Sequence, residues 1–165
     1  MGDRETAVKF YNAAVAAVND NRDVNHLTTG YQLFSSAYLA DPTFFDTAYQ
    51  CGNNNSDLGK IEAAVANWRC ALACASSDGE RAKALVNLGW RLHTLGKTRE
   101  AFDVTDAGLE LDPTLHLGWV NLSLIHSHLR NPSAMVVAAL EAYKLAPDDT
   151  NVQIALAFAY MFTGQ

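Results

Sequence analysis

Residues 84–90, Ala84-Leu85-Val86-Asn87-Leu88-Gly89-Trp90, open a unit that returns along the chain. Moving 34 positions towards the C-terminus, Asn87-Leu88-Gly89 becomes Asn121-Leu122-Ser123. Moving 37 positions back, Gly89 becomes Gly52. A near-constant period of about 34 residues is typical of solenoids built from repeated helix pairs. We therefore expect one domain over 1–165 with four units and the first helix of a fifth: 11–44, 45–78, 82–115, 116–149 and the half repeat 150–165.

The spacing of apolar residues predicts helices throughout the chain. Apolar residues recur at intervals of three and four, and no segment shows sustained alternation, so the pattern favours an all-α protein of about nine helices. Turn and cap residues separate the predicted helices, among them Gly59, Gly96, Asp112-Pro113 and Asn131-Pro132. The helices are expected at about 3–20, 24–40, 43–57, 60–75, 80–95, 97–111, 114–129, 132–146 and 149–163.

Small residues recur where two helices of one unit are expected to cross. Gly52 and Gly89 stand on first helices, and Ala64 and Ala101 on second helices. Helix axes about 8–10 Å apart leave no room for larger side chains at the crossing. Five larger residues are predicted to fill the core between units: Phe34, Trp68, Leu72, Leu109 and Tyr143.

The pattern Leu85…Leu88-Gly89…Leu92…Gly96…Ala101…Gly108…Pro113 resembles the tetratricopeptide repeat. The resemblance implies a right-handed α-solenoid of antiparallel helix pairs, with a concave face that binds segments of protein partners. The units depart from the pattern at three positions. Val18 stands where a small residue belongs, Thr105 occupies an aromatic position, and Met135 replaces an expected alanine.

Composition excludes several classes of partner. The net charge of −6 is spread evenly along the chain, whereas nucleic-acid-binding surfaces carry clustered Lys and Arg. No apolar run approaches the length of a membrane span, and three cysteines without a secretory signal indicate reduced thiols. We therefore predict a cytoplasmic protein that binds neither nucleic acid nor membrane.

Three amides, Gln50, Asn87 and Asn121, fall on equivalent inward positions of the predicted first helices. A primary amide offers both a donor and an acceptor, so it can pair with the backbone of a bound peptide. The pair Asn87 and Asn121 resembles the asparagine ladder of the O-linked N-acetylglucosamine transferases, with Gln50 as an imperfect third member. The alternative is that these amides serve helix packing or solvation.

Further residues are expected to face the groove beside the amides: Tyr49, Asn53, Lys83, Trp90, Leu124 and His128. Trp90 is the candidate anchor, because aromatic residues dominate binding hot spots; its alternative role is to shield the helix crossing beside Gly89. His116, His126 and His128 are spaced so that they lie on different helix faces, which argues against a metal site. With no catalytic motif in the sequence, we expect no cofactor and no enzymatic activity from this chain on its own.

The segment 152–162 is apolar nearly all round, and a helix of this kind needs cover on more than one face. The sequence therefore predicts either a fragment of a longer protein or a helix, 150–163, that packs against another copy. Two functional hypotheses remain open. One is a protein-interaction module; the other is the N-terminal repeat region of a bacterial-type glycosyltransferase whose catalytic domain follows Gln165.

Overall fold

The computed structural model describes residues 3–20 and 25–164 of the chain. The regular structure in that part is entirely α-helical, which confirms the predicted fold class. Its nine helices are α1 (Arg4–Asn19), α2 (His26–Ala40), α3 (Phe45–Asp57), α4 (Ile61–Cys74), α5 (Asp78–Thr94), α6 (Thr98–Leu111), α7 (His116–His128), α8 (Pro132–Leu145) and α9 (Thr150–Thr163). In the described residues, no helix combines the length and the apolar character that crossing a membrane requires.

The chain divides into two compact units, each longer than two of the 34-residue repeats. The second unit begins at Arg81, within the first turn of α5. In the first unit, α1 packs on α2, α2 on α3, and α3 on α4. In the second unit, α6 packs on α7, α7 on α8, and α9 contacts both α7 and α8. Each unit is thus built from helices that pack against their neighbours in sequence, as a solenoid of helix pairs requires.

Small residues sit where paired helices cross. A β-carbon added at Gly52 in α3 would lie 2.5 Å from the indole nitrogen of Trp68 in α4. One added at Gly89 in α5 would run into the hydroxyl of Thr105 in α6 and come within 3.2 Å of the carbonyl oxygen of Ala101. The predicted close approach of these helix pairs is therefore confirmed.

The crossing of α7 and α8 has a serine in place of the glycine. Ser123 in α7 stands at the position of Gly89, and its hydroxyl donates a hydrogen bond of 3.0 Å to the carbonyl oxygen of Met135 in α8. Both residues are buried. The bond uses the backbone of Met135, whose side chain, in place of the expected alanine, is fully buried.

Most of the predicted core residues are buried, but one is not. Phe34, Trp68 and Leu109 are buried and Leu72 is half-buried. The prediction for Tyr143 is wrong, because 42% of its surface is exposed. The buried face of α8 includes Ala142, and the next residue of a helix points about 100° away from it.

The three cysteines are free thiols. Cys51 lies in the core of the first unit beside Phe34 and Ala14, and burial raises its pKa to about 12. Cys70 and Cys74 on α4 are half-buried, and the Cys74 sulfur lies 3.1 Å from the carbonyl oxygen of Pro42. Cys51 therefore packs as a small apolar residue.

Candidate functional site

Turn and cap residues determine where helices α5, α7 and α9 begin or end. Asp112 accepts hydrogen bonds from the backbone nitrogen (3.0 Å) and hydroxyl (2.6 Å) of Thr114 just before α7. Asp149 accepts from the backbone nitrogens of Asn151 (2.8 Å) and Val152 (3.1 Å) and caps α9. Gly96 takes a φ of +76° after α5, which favours glycine. These contacts fix where the three helices begin or end.

These three helices line a groove of about 520 Å³ in the second unit, which we call the α5–α7–α9 groove. Its lining residues come from equivalent positions of successive repeats. Trp90, Leu124 and Phe158 are separated by 34 residues each, and Val120 and Ile154 follow the same interval. The lining residues are Asn87, Trp90, Leu117, Val120, Asn121, Leu124, Asn151, Ile154, Ala155 and Phe158.

Four of the predicted site residues meet in this groove: Asn87, Trp90, Asn121 and Leu124. Two others in the same unit, Lys83 and His128, are exposed and are not among its lining residues. The charge of Lys83 acts instead on Asp112, whose pKa is held below its usual value first by the hydrogen bonds from Thr114 and to a smaller extent by Lys83.

Asn121 forms the floor of the groove and is only 8% exposed. Its side-chain nitrogen donates a hydrogen bond of 3.1 Å to the carbonyl oxygen of Val86 in α5. The donor of this amide is therefore used to pack α7 against α5. Within the described residues, its side-chain oxygen accepts no hydrogen bond from the protein and so can accept one from a ligand.

The remaining predicted residues, Tyr49, Gln50 and Asn53, lie on α3 in the first unit. The Tyr49 ring stacks on that of Phe45 with centroids 5.4 Å apart. The Asn53 amide donates to the side-chain oxygen of Gln50 (3.0 Å) and accepts from the indole nitrogen of Trp68 (3.2 Å). The structure thus brings these two amides together in a hydrogen-bonded cluster of their own.

The sequence predicts less than half of the groove. Six lining residues are not among the predicted site residues: Leu117, Val120, Asn151, Ile154, Ala155 and Phe158. The signal that identifies two of them is the repeat itself: adding 34 to Leu124 gives Phe158, and adding 34 to Asn121 gives Ala155. The apolar character of residues 152–162 predicts only that α9 needs cover, and it does not assign these residues to a binding groove.

The histidines of the second unit pack against aromatic rings. His93 in α5 and His128 in α7 meet edge to face with centroids 4.5 Å apart, and His126 meets Phe102 at 5.4 Å. Burial lowers the pKa of both His93 and His126, and the charge of His128 lowers that of His93 further. Among residues 3–20 and 25–164, no cluster of three or more His, Cys, Asp or Glu side chains could hold a metal ion.

Solved structures similar to this chain share its helical arrangement at low sequence identity. MamA from Desulfovibrio magneticus RS-1 is 17% identical, with 99% of this chain and 88% of that chain covered and a TM-score of 0.78. The Cut9-Hcn1 hetero-tetramer of APC/C gives 16% identity, 93% and 30% coverage and a TM-score of 0.80. A tetratricopeptide repeat protein from Parabacteroides merdae gives 16% identity, 94% and 61% coverage and a TM-score of 0.70.

Comparisons based on sequence found no match for this chain. No protein-family model matches the chain, and no curated protein matches it. At identities of 16–17%, the solved structures establish the fold alone. The pairing of its helices, its period of about 34 residues and these structural matches together show that the chain has the tetratricopeptide repeat fold.

Proposed function

We propose that this chain is a protein-interaction module and that the α5–α7–α9 groove holds a segment of the partner. The observation that carries the proposal is the exposure of large apolar side chains inside a concave surface. Leu117, Ile154 and Phe158 all line the groove, and Ile154 is 62% exposed. Concave apolar surfaces with a few polar groups are the usual form of binding sites.

The energetics of the groove favour binding through apolar contacts. Covering an apolar side chain of this size contributes about 1.5–3 kcal/mol, and Trp90 is the aromatic residue best placed to act as an anchor. The amides of Asn87 and Asn151 add polar groups that can orient a peptide backbone. Assembly with another protein also has a precedent in the fold, since Cut9 is found in a hetero-tetramer with Hcn1.

The proposal also includes the predicted contact residues that lie outside the groove. Lys83 and His128 are exposed and could contact a partner outside the groove itself. Tyr49, Gln50 and Asn53 form a separate candidate surface in the first unit, where two of the amides already bond to each other.

The proposal is tested by comparing two single substitutions of exposed side chains. The purified chain is used as bait in a cell extract, and retained proteins are quantified by mass spectrometry. Ile154→Ser removes an apolar contact of the groove, and Leu39→Ser removes an equally apolar side chain of α2, which is 80% exposed. We expect a partner that the original chain and Leu39→Ser retain and that Ile154→Ser loses. Equal retention by all three proteins would contradict the use of this groove.

The glycosyltransferase hypothesis rests on one observation, namely that Asn87 and Asn121 line the same groove 34 residues apart. The side-chain nitrogen of Asn121 already donates to the carbonyl oxygen of Val86, so only the oxygen of this amide could take part in such a ladder. Reading the coding sequence beyond Gln165 tests the hypothesis directly. A nucleotide-sugar-binding catalytic domain would support it, and an unrelated domain would reject it.

A further inference from the structure

The apolar row Trp90, Leu124 and Phe158 has a defined spacing. The three residues occupy the same position of α5, α7 and α9, and all line the groove. These helices are neighbours: α7 contacts α9, and Asn121 of α7 bonds to Val86 of α5. Packed helices lie about 8–10 Å apart. The row therefore presents an apolar group to a ligand at about that interval.

Few chain conformations repeat one face at this interval. In an extended strand, neighbouring residues of one face are about 6.6 Å apart, and residues three apart point to opposite sides. A polyproline II helix rises about 3.1 Å per residue with three residues per turn, so every third residue returns to the same face after about 9.3 Å. The row therefore matches a polyproline II segment better than a strand.

An α-helix also repeats one face after seven residues, about 10.5 Å, but its backbone groups cannot bond to the amides of the groove. Its backbone groups bond to each other, whereas those of a polyproline II segment are free to bond elsewhere. Asn87 and Asn121 stand three residues before Trp90 and Leu124 on the same two helices, which places amides beside the apolar row. The oxygen of Asn121 can accept a backbone N–H, and such a contact serves only a ligand whose backbone is unpaired.

The charge of the groove restricts the side chains of the ligand. None of its ten lining residues, all within the described part of the chain, carries a charge. A charged side chain entering it would lose water without gaining a partner. Apolar and small neutral side chains are thus the complement of this surface.

We propose that the groove recognises an uncharged partner segment in the polyproline II conformation that carries a large apolar side chain at every third residue. This inference rests on the function proposed above. It assigns the conformation and the side-chain pattern of the bound segment, which the proposed function leaves open.

The test uses three fluorescein-labelled twelve-residue peptides and fluorescence anisotropy with the full chain. The first peptide repeats Leu-Pro-Ala four times. The second has the same composition but places its leucines at alternate residues. The third is a neutral Ala- and Gln-rich helix former with leucines seven residues apart. Each is titrated against the original chain, Leu124→Ser as the groove variant, and Leu39→Ser as the control on α2.

We expect the Leu-Pro-Ala peptide to bind at least tenfold more tightly than the other two, and Leu124→Ser to weaken it at least tenfold while Leu39→Ser does not. Equal or tighter binding of the second or third peptide, lost in Leu124→Ser, would overturn the polyproline II assignment and leave the groove as a protein-binding site. Binding of no peptide, or binding that Leu124→Ser leaves unchanged, would count against both proposals. Circular dichroism of Leu124→Ser establishes that the variant retains its helices.

Discussion

The side-chain amide of Asn121 in α7 donates a hydrogen bond of 3.1 Å to the backbone carbonyl oxygen of Val86 in α5. The two residues are 35 positions apart, so the bond joins successive repeats of the second unit. Asn121 is buried, and its amide therefore has a structural role in addition to any contact with a ligand.

Replacing Asn121 is expected to lower stability. Asn121→Ala removes a buried hydrogen bond and should reduce the free energy of unfolding by about 1 kcal/mol. Asn121→Asp should cost more, because it sets a buried carboxylate opposite a carbonyl oxygen. Urea denaturation followed by circular dichroism measures both. Asn151→Ala, an exposed asparagine of the same groove, serves as the control and should stay within about 0.5 kcal/mol of the original chain. Binding experiments on the amides are better made with Asn87→Ala than with Asn121→Ala.

The crossing of α5 and α6 depends on the absence of a side chain at Gly89. Gly89→Ala should lower the free energy of unfolding by about 1–3 kcal/mol, because the new methyl group meets Thr105. The Thr105 hydroxyl is buried without a hydrogen-bond partner, so Thr105→Ala should recover much of this loss in the double variant. Gly79→Ala is the matched control, since a β-carbon there meets nothing within 4 Å. It should stabilise the helix by up to about 1 kcal/mol. Equal effects at the two glycines would contradict the steric explanation.

The second unit should lose stability in mildly acidic solution. Burial lowers the pKa of His93 and His126 below the ordinary value of 6.5, with the charge of His128 adding to the effect on His93 and Asp106 opposing it on His126. The unfolded chain therefore binds protons at a higher pH than the folded chain, and stability falls as the pH drops through 6.5. Thermal unfolding measured from pH 8 to pH 5 should show this decrease.

Substitutions assign the pH dependence to particular rings. His93→Gln should reduce the slope of unfolding temperature against pH. His128→Gln should reduce it less, because it removes only the smaller of the two causes that act on His93. An unchanged slope in His93→Gln would show that the titration of this ring does not couple to folding.

The exposed end of α9 predicts self-association. Met161 is 80% exposed, and Phe162 lines a second cleft with Val136 and Pro132 of α8. If α9 packs against another copy through this surface, the chain should dimerise with rising concentration in sedimentation velocity, and Phe162→Ser should shift it towards the monomer. Identical sedimentation of the two proteins at every concentration would rule out this interface.

Much of the fold could be predicted from the sequence because repetition makes each helix visible more than once. Gly52 and Gly89, 37 residues apart, mark two crossings that the structure contains. The exposure of Tyr143 could not be predicted in the same way. A repeat pattern gives the position of a side chain along the helix, whereas its burial depends on which neighbours cover that face.

The candidate site was predicted only in part, for a related reason. The sequence predicts Trp90 and Leu124 as site residues on the first helices of consecutive repeats, whereas it predicts Phe158, at the same position of α9, only as part of an apolar segment. The bond from Asn121 to Val86 could not be predicted, because a side-chain amide at a helix interface looks the same in sequence as one that faces solvent.

The contacts at the helix crossings bear on how such a chain can be re-engineered or can diverge. Gly52 is fitted to the side chain of Trp68 and Gly89 to that of Thr105, so each of these helices is adapted to its own partner. Exchanging α3 for α7 alone would place Ser123 opposite Trp68, whose indole ring leaves no room for a β-carbon. Whole hairpins, by contrast, carry both halves of the fit with them, and recombination between repeats should succeed when its breakpoints fall between hairpins.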